Sequence, residues 1–187
     1  MSSSVLVEKK KLDRPPLDIH TLGDRALRTP AKRIAKIDDS IRQLAKEMLQ
    51  TMYSSDGIGL AAPQVAIAKQ IVVVDCDPEE PANTPLILIN PKIKAFGREL
   101  CTYQEGCLSV PGVYMDVHRP DAIEVIYKDE NGRPQTLKAD GLLSRAIQHE
   151  LDHLHGVMFV DRVENAMALT EELQKFGFSA QDVKPYS

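Results

Sequence analysis

Two histidines one helical turn apart, with a glutamate beside them, are the residues of this chain best suited to chemistry. His149-Glu150-Leu151-Asp152-His153 is an H-E-x-x-H arrangement. On a helix, positions i and i+4 share a face, so both imidazoles can offer a ring nitrogen to one cation. Glu150 is then within reach of a proton on water held by that cation. The competing reading is a pair of surface histidines with ordinary hydrogen bonds. The flanking residues argue against it. Leu142, Leu143, Ala146, Ile147 and Leu154 leave a helix over 141–155 little purely polar face, and buried histidines and a buried glutamate need strong partners.

A catalytic site of this type needs a third protein ligand and one open position. Phe159 stands where one class of metalloproteases carries a third histidine, although the Gly156 of that longer motif is in place. Glu171 and Glu172 could serve as a ligand on a second helix, but they lie on a charged face and read first as solvated. His155 points away from the face shared by His149 and His153. Cys107 remains, between Gly106 and a Pro111-Gly112 turn that lets backbone approach another element closely. A thiolate with two imidazoles suits zinc or ferrous iron. A free cysteine is more often a small buried hydrophobe, and Cys76 and Cys101 read that way.

Several elements must position these residues. Asp38 or Asp39 caps a helix to about Tyr53, with Ile41, Leu44, Ala45, Met48, Leu49 and Met52 on one face. Residues 57–64, Gly-Ile-Gly-Leu-Ala-Ala-Pro-Gln, read as a loop without room for bulky side chains. Short apolar runs at 71–75 and 86–90, and segments 99–103 and 113–118, read as strands. A hairpin turning at Asn131-Gly132 joins 123–127 to 135–139. An amphipathic C-terminal helix covers 164–176. Strands and helices do not alternate as βαβ units. The expected fold is therefore α+β, with mostly antiparallel strands packed around a central metal-binding helix. The chain reads as a single catalytic domain, 1–187, with a flexible arm over 1–14 and a tail over 178–187.

Composition sets bounds on function. The chain has 187 residues, 43% hydrophobic and 27% charged, an ordinary globular balance. A net charge of -4 argues against a nucleic-acid binder. Lys9-Lys10-Lys11 is the only short basic run and reads as solvated. No apolar run is long enough to span a bilayer, and no secretory signal is evident. Three cysteines do not make a disulfide framework, so a reducing compartment is expected.

Three segments occur in the order of the three motifs of the peptide deformylases. They are Gly57-Ile58-Gly59-Leu60-Ala61-Ala62-Pro63-Gln64, Glu105-Gly106-Cys107-Leu108-Ser109 and Gln148-His149-Glu150-Leu151-Asp152-His153. Over about residues 15 to 165 the chain resembles the type found in bacteria and plant organelles. The resemblance implies removal of the formyl group from the N-terminal formyl-methionine of new polypeptides. It implies one divalent metal on Cys107, His149 and His153. Fe(II) is expected in the cell, with zinc, nickel or cobalt able to replace it. Glu150 is implied as general base and acid towards metal-bound hydroxide, with Gln64 and the Leu108 N–H as donors to the formyl oxygen. Ile58, Gly106, Leu142 and Ala146 match the methionine pocket, with His149 at its base. Gly59 and Gly106 allow a peptide backbone to approach. Tyr114 and Arg145 fall at variable positions, at the border and mouth of the cleft. Glu105 and Arg119 are implied as a structural ion pair. The implied partners are formylated nascent chains near the ribosome, with no specific nucleic acid and no membrane, and the chain is expected as a monomer or weak dimer. The bacterial cytoplasm is the expected location, with an organelle stroma or matrix second. A metalloendopeptidase and a structural metal protein are the alternatives. The first would need another third ligand, and the second four protein ligands.

Overall fold

Residues 5–186 are described by a computed structural model. The first helix, α1 (Asp39–Ser54), starts where the Asp38 side chain accepts from the N–H groups of Ser40 and Ile41. It buries Ile41, Leu44, Ala45, Met48, Leu49 and Met52, the expected face. The central helix, α2 (Gly141–Leu154), is buried over nearly its whole length and stops at Gly156, whose φ is 72°. A side chain there would also press on the Arg28 carbonyl, 3.1 Å from an ideal Cβ. The C-terminal helix, α3 (Ala166–Lys175), is capped by Asn165 and buries Leu169 and Leu173.

Five antiparallel strands form the main sheet, in the order β1 (Gly59–Ala61), β2 (Ile71–Val74), β3 (Leu86–Phe96), β6 (Ala122–Lys128) and β7 (Pro134–Asp140). Alternation along β2 shows how the sheet is covered. Ile71 and Val73 join the apolar cluster of α1, while Val72 and Val74 join that of α2. Strands β4 (Leu100–Cys107) and β5 (Val110–Pro120) make a separate two-stranded ribbon. Val110, Val113 and Val117 of the ribbon pack with Phe159, Leu169 and Leu173 in a third cluster. The α+β architecture, with antiparallel strands around α2 and a helix near the C-terminus, matches the expectation. Among the described residues, no helix is long and apolar enough to cross a membrane.

The glycine-rich segment is not all loop. Gly59, Leu60 and Ala61 pair with Val74, Val73 and Val72 as β1, followed by a 3-10 turn over Ala62–Val65. All three strand residues are buried, so no polar–apolar alternation advertised it. Strand β3 runs past its expected apolar core into an exposed end, whereas β4 and β5 extend through residues such as the buried Glu105 and Arg119, whose polar side chains carry no apolar signal.

The basic run is also different from its reading. Lys10 and Lys11 are exposed, but the Lys9 side chain is only 8% exposed and pairs with the fully buried Asp75 at 2.7 Å. Lys9 also donates to the Glu80 carbonyl at 2.7 Å. The Tyr53 hydroxyl, the Asp77 N–H and Asn83 complete the donors to Asp75. Burial pushes the Asp75 carboxyl up, but Lys9, Tyr53, Asp77 and Asn83 outweigh it and hold it below the usual range. Such a group stabilises the fold above its unfolded pKa, about 3.9, and ceases to as pH falls through the lower folded value. Lys9→Met is expected to cost about 3 kcal/mol at pH 7, or roughly 9 °C in Tm. The gap between variant and wild type should close below about pH 4. Thermal melts across that range check both statements.

Candidate metal centre

The three ligand candidates come from two elements. His149 and His153 lie on one face of α2, and Cys107 ends β4. Their ligand atoms all fall within 4.8 Å of one another. Cys107 Sγ stands 3.4 Å from His153 Nε2. Tetrahedral ligands bonded to one cation through sulfur and nitrogen are about 3.5 Å apart, given bonds of about 2.3 and 2.0 Å. The donor set and its spacing therefore fit a metal ion.

The ring of His149 is held from behind. Its Nδ1 lies 2.9 Å from Glu105 Oε1. Burial pushes the Glu105 carboxyl up, but His149 and Arg119 outweigh it and hold it well below the usual range. An ionised carboxylate only accepts, so His149 donates from Nδ1 and keeps Nε2 for a cation. Arg119 grips Glu105 through Nε at 2.6 Å and Nη2 at 2.9 Å, the ion pair implied by the resemblance. Its Nη1 reaches Asp152 at 2.9 Å, and Asp152 is also gripped by Arg162. Phe159, in place of the third histidine, stacks on the His149 ring with centroids 5.9 Å apart. Burial pushes the His149 imidazole down, but Cys107 and Glu105 outweigh it and hold it above the usual range, whereas burial and the neighbouring His149 hold His153 below it.

Glu150 lies beside this centre, and its Oε2 is buried without a hydrogen-bond partner, as is His153 Nδ1. Burial pushes the Glu150 carboxyl up to about 7. The loss of a side chain at Gly59 makes the space. An ideal Cβ there would sit 2.6 Å from Glu150 Oε1 and 2.9 Å from its Cγ. Gly57 likewise leaves room for Leu108, whose Cδ1 would be 2.6 Å from an added Cβ. Gly106 leaves room for the ring of Tyr114, which lies over it.

Gln64 is 1% exposed and fixed at both ends. Its Oε1 accepts from the Ala61 N–H at 2.9 Å, which assigns the amide orientation. Nε2 then donates to Ser109 Oγ at 3.1 Å and faces Cys107 Sγ at 3.6 Å. The strand β1 and its 3-10 turn carry this side chain to the metal candidates. The N-terminal segment ties the same pieces together, since His20 N–H donates to the Gln64 carbonyl and Leu22 N–H to that of Ser109.

A cleft of about 690 Å³ opens over the centre. Ile58, Gly59, Gly106, Leu142, Ala146 and Glu150 line it, together with Cys107, Leu108, Tyr114, Arg145 and His149. Gln64 and His153 do not line it. They sit behind Cys107, in contact with its sulfur. Tyr114 lines the cleft and is 59% exposed. Arg145 lines the cleft, but its charged end is turned away from solvent. It is 7% exposed, and its guanidinium turns to Glu105 and to backbone carbonyls of the ribbon. Ser109, Asp152 and Arg162 went unnoticed in sequence. Ser109 is two residues past Cys107, and a hydroxyl in that motif was the available signal. Arg162 and Asp152 pair across ten residues, and Asp152 with Arg119 across 33, separations that no helical or strand period reveals.

Comparison with known proteins agrees with the motifs. The polypeptide deformylase family model matches residues 16–168. Peptide deformylase 1 of Nostoc sp. is 69% identical over 185 residues, covering 99% of both chains. The peptide deformylase of Synechocystis sp. is 66% identical, also covering 99% of both. The crystal structure of the Synechococcus elongatus peptide deformylase in complex with actinonin superimposes with a TM-score of 0.95 at 63% identity, covering 96% of this chain and 98% of that one. A plant peptide deformylase aligns with a TM-score of 0.82 at 37% identity, covering 89% and 91%. Motif order, site geometry and whole-chain similarity converge, and the chain belongs to the polypeptide deformylase family.

Proposed function

We propose that Cys107, His149 and His153 hold the divalent metal with which this deformylase removes the formyl group from the N-terminal formylmethionine of new polypeptides. The observation that carries the assignment is the convergence of one thiol and two imidazoles beside a buried, unpartnered carboxylate oxygen of Glu150. When bound, the cation supplies Lewis acidity and makes water more acidic. Glu150 takes the proton from the attacking water and returns it to the departing amine. A carboxyl near neutrality suits both transfers. Negative charge develops on the formyl oxygen; the Leu108 N–H donates to it, and the Gln64 amide joins by turning from Cys107 Sγ the Nε2 proton not given to Ser109. Ile58, Gly106, Leu142 and Ala146 receive the methionine side chain against the His149 ring, and Tyr114 borders the path of the peptide. Gly59 and Gly106 have a second role in this reading, because Glu150 and Tyr114 already occupy the space that their side chains would need.

Fe(II) is the metal we assign in the cell, with zinc, nickel or cobalt as substitutes, since a soft thiolate with two imidazoles accepts all of them. The substrates are formylated nascent chains near the ribosome. The bacterial cytoplasm is the compartment assigned, supported by unpaired cysteines and by the cyanobacterial relatives. Gln64→Leu tests the assignment. It keeps the ligand set and removes one donor, so kcat/KM on a formyl-methionyl peptide should fall about 100-fold, near 3 kcal/mol of barrier, with metal content unchanged. A loss below threefold would remove Gln64 from the reaction.

A further inference from the structure

We propose that Arg145 is a positioning residue that locks the helix carrying His149 and His153 to the ribbon carrying Cys107. The inference rests on the ligand set proposed above. Arg145 precedes His149 by one turn of α2, so both reach towards the same neighbour. Its Nη1 donates to Glu105 Oε2 at 2.6 Å, while His149 Nδ1 holds the other oxygen, Oε1. Nη1 also meets the Val117 carbonyl at 2.9 Å, and Nη2 the Cys101 carbonyl at 2.6 Å. Those carbonyls belong to β5 and β4, the two strands of the ribbon. One buried side chain thus spans both strands and the carboxylate that orients His149.

Arg119 does not make Arg145 redundant. From the ribbon it is divided between Glu105 and Asp152, so it holds α2 beside His153, whereas Arg145 holds α2 one turn before His149. Arg145 is the guanidinium that reaches Glu105 from α2, so it fixes helix against ribbon. It also lines the cleft beside Ala146, although its charged end is turned away to Glu105. The wall of the cleft and the support of the metal ligand are therefore one side chain. Lysine cannot reproduce this, because its ammonium lacks the planar fork that meets a carboxylate and two carbonyls together.

The test titrates Co(II) into metal-free protein and follows the thiolate-to-cobalt absorption, beside steady-state kinetics on a formyl-methionyl peptide. Arg145→Met keeps an unbranched stem and removes the fork. Its Co(II) dissociation constant should rise about tenfold or more. At saturating metal, kcat should fall by about tenfold while KM stays within about threefold, because the stem still lines the cleft. Arg145→Lys should recover part of the affinity, and it carries the test if the methionine variant does not fold. Unchanged Co(II) affinity in the folded variant, with the effect confined to KM, would overturn the proposal and leave Arg145 as a cleft residue only. Cys107→Ser is the reference. If it binds Co(II) as the wild type does, the ligand assignment itself is wrong. If it binds weakly and the Arg145 variants bind normally, only the positioning role fails.

Discussion

Glu150→Gln is expected to lower deformylation by at least about 1000-fold while the protein stays folded and keeps its metal. The substitution preserves shape where shape is most constrained, against the backbone of Gly59. It removes the one oxygen in the centre able to take up and release a proton. Glu150 is not among the three clustered ligands, so metal content should match that of the wild type. The wild-type carboxyl is buried with Oε2 unpartnered, an arrangement that costs stability rather than adding it. Tm of the variant should therefore equal or exceed that of the wild type. A functional group kept in a strained setting for its chemistry behaves in this way. Retention of more than a tenth of the activity would show that the proton moves by another route. Metal analysis, a thermal melt and a rate on one sample separate these outcomes.

Cys107→Ala is expected to abolish activity through the metal, not through the fold. Cys107 provides the only thiol in the cluster, and two imidazoles on one helix turn remain. Metal bound after gel filtration should fall below about a tenth of an equivalent, with turnover at least about 1000-fold down. Cys107→Ser is the finer variant, since a hydroxyl keeps the contact with Ser109 N–H but binds soft cations poorly. Excess zinc should restore little to either. The half-buried Cys76 and Cys101 serve as controls, because neither lies in the cluster and Cys76 is pushed up to about 11 by burial and by Asp75. Alanine at either should leave metal content unaltered. A Cys107→Ala protein that retains a full metal equivalent would require a different third ligand.

The candidate metal centre was legible because half of it is local. His149 and His153 are spaced by the helix itself, and Phe159 excluded one extension of the motif. Cys107 could be reached only by elimination and by motif order, since its distance from the helix depends on the whole ribbon. The contacts of Arg145 were not legible, because its place on α2 predicts a face, not where a long side chain ends. Its partners, Glu105, Cys101 and Val117, are 28 to 44 residues away. Lys9 misled for the same reason, its partner Asp75 lying on the far side of α1 in sequence. Strand β1 was hidden because it is three residues long and wholly buried, whereas α1 announced itself through its cap and periodic apolar positions, and α2 through its apolar residues around the H-E-x-x-H spacing. Local spacing reveals helices and ligand pairs, and long-range polar contacts are what it leaves out.

Those contacts also explain why the site is deep in the fold. Glu105, Arg119, Asp152 and Arg162 form a chain of charges from the ribbon, through α2, to the segment before α3. Each carboxylate in it has at least two cationic partners, so burial is compensated and the geometry around His149 is held. The open side of the centre is left to Glu150 and the cleft.

Metal-dependent deformylation in this cleft, with no cutting inside the peptide, is tested by formate release from a formyl-methionyl peptide on protein of known metal content. Formate should appear in equal amount to free methionyl amine, in proportion to bound metal up to about one equivalent per chain. Internal fragments, or no formate from a fully metal-loaded sample, would contradict the account.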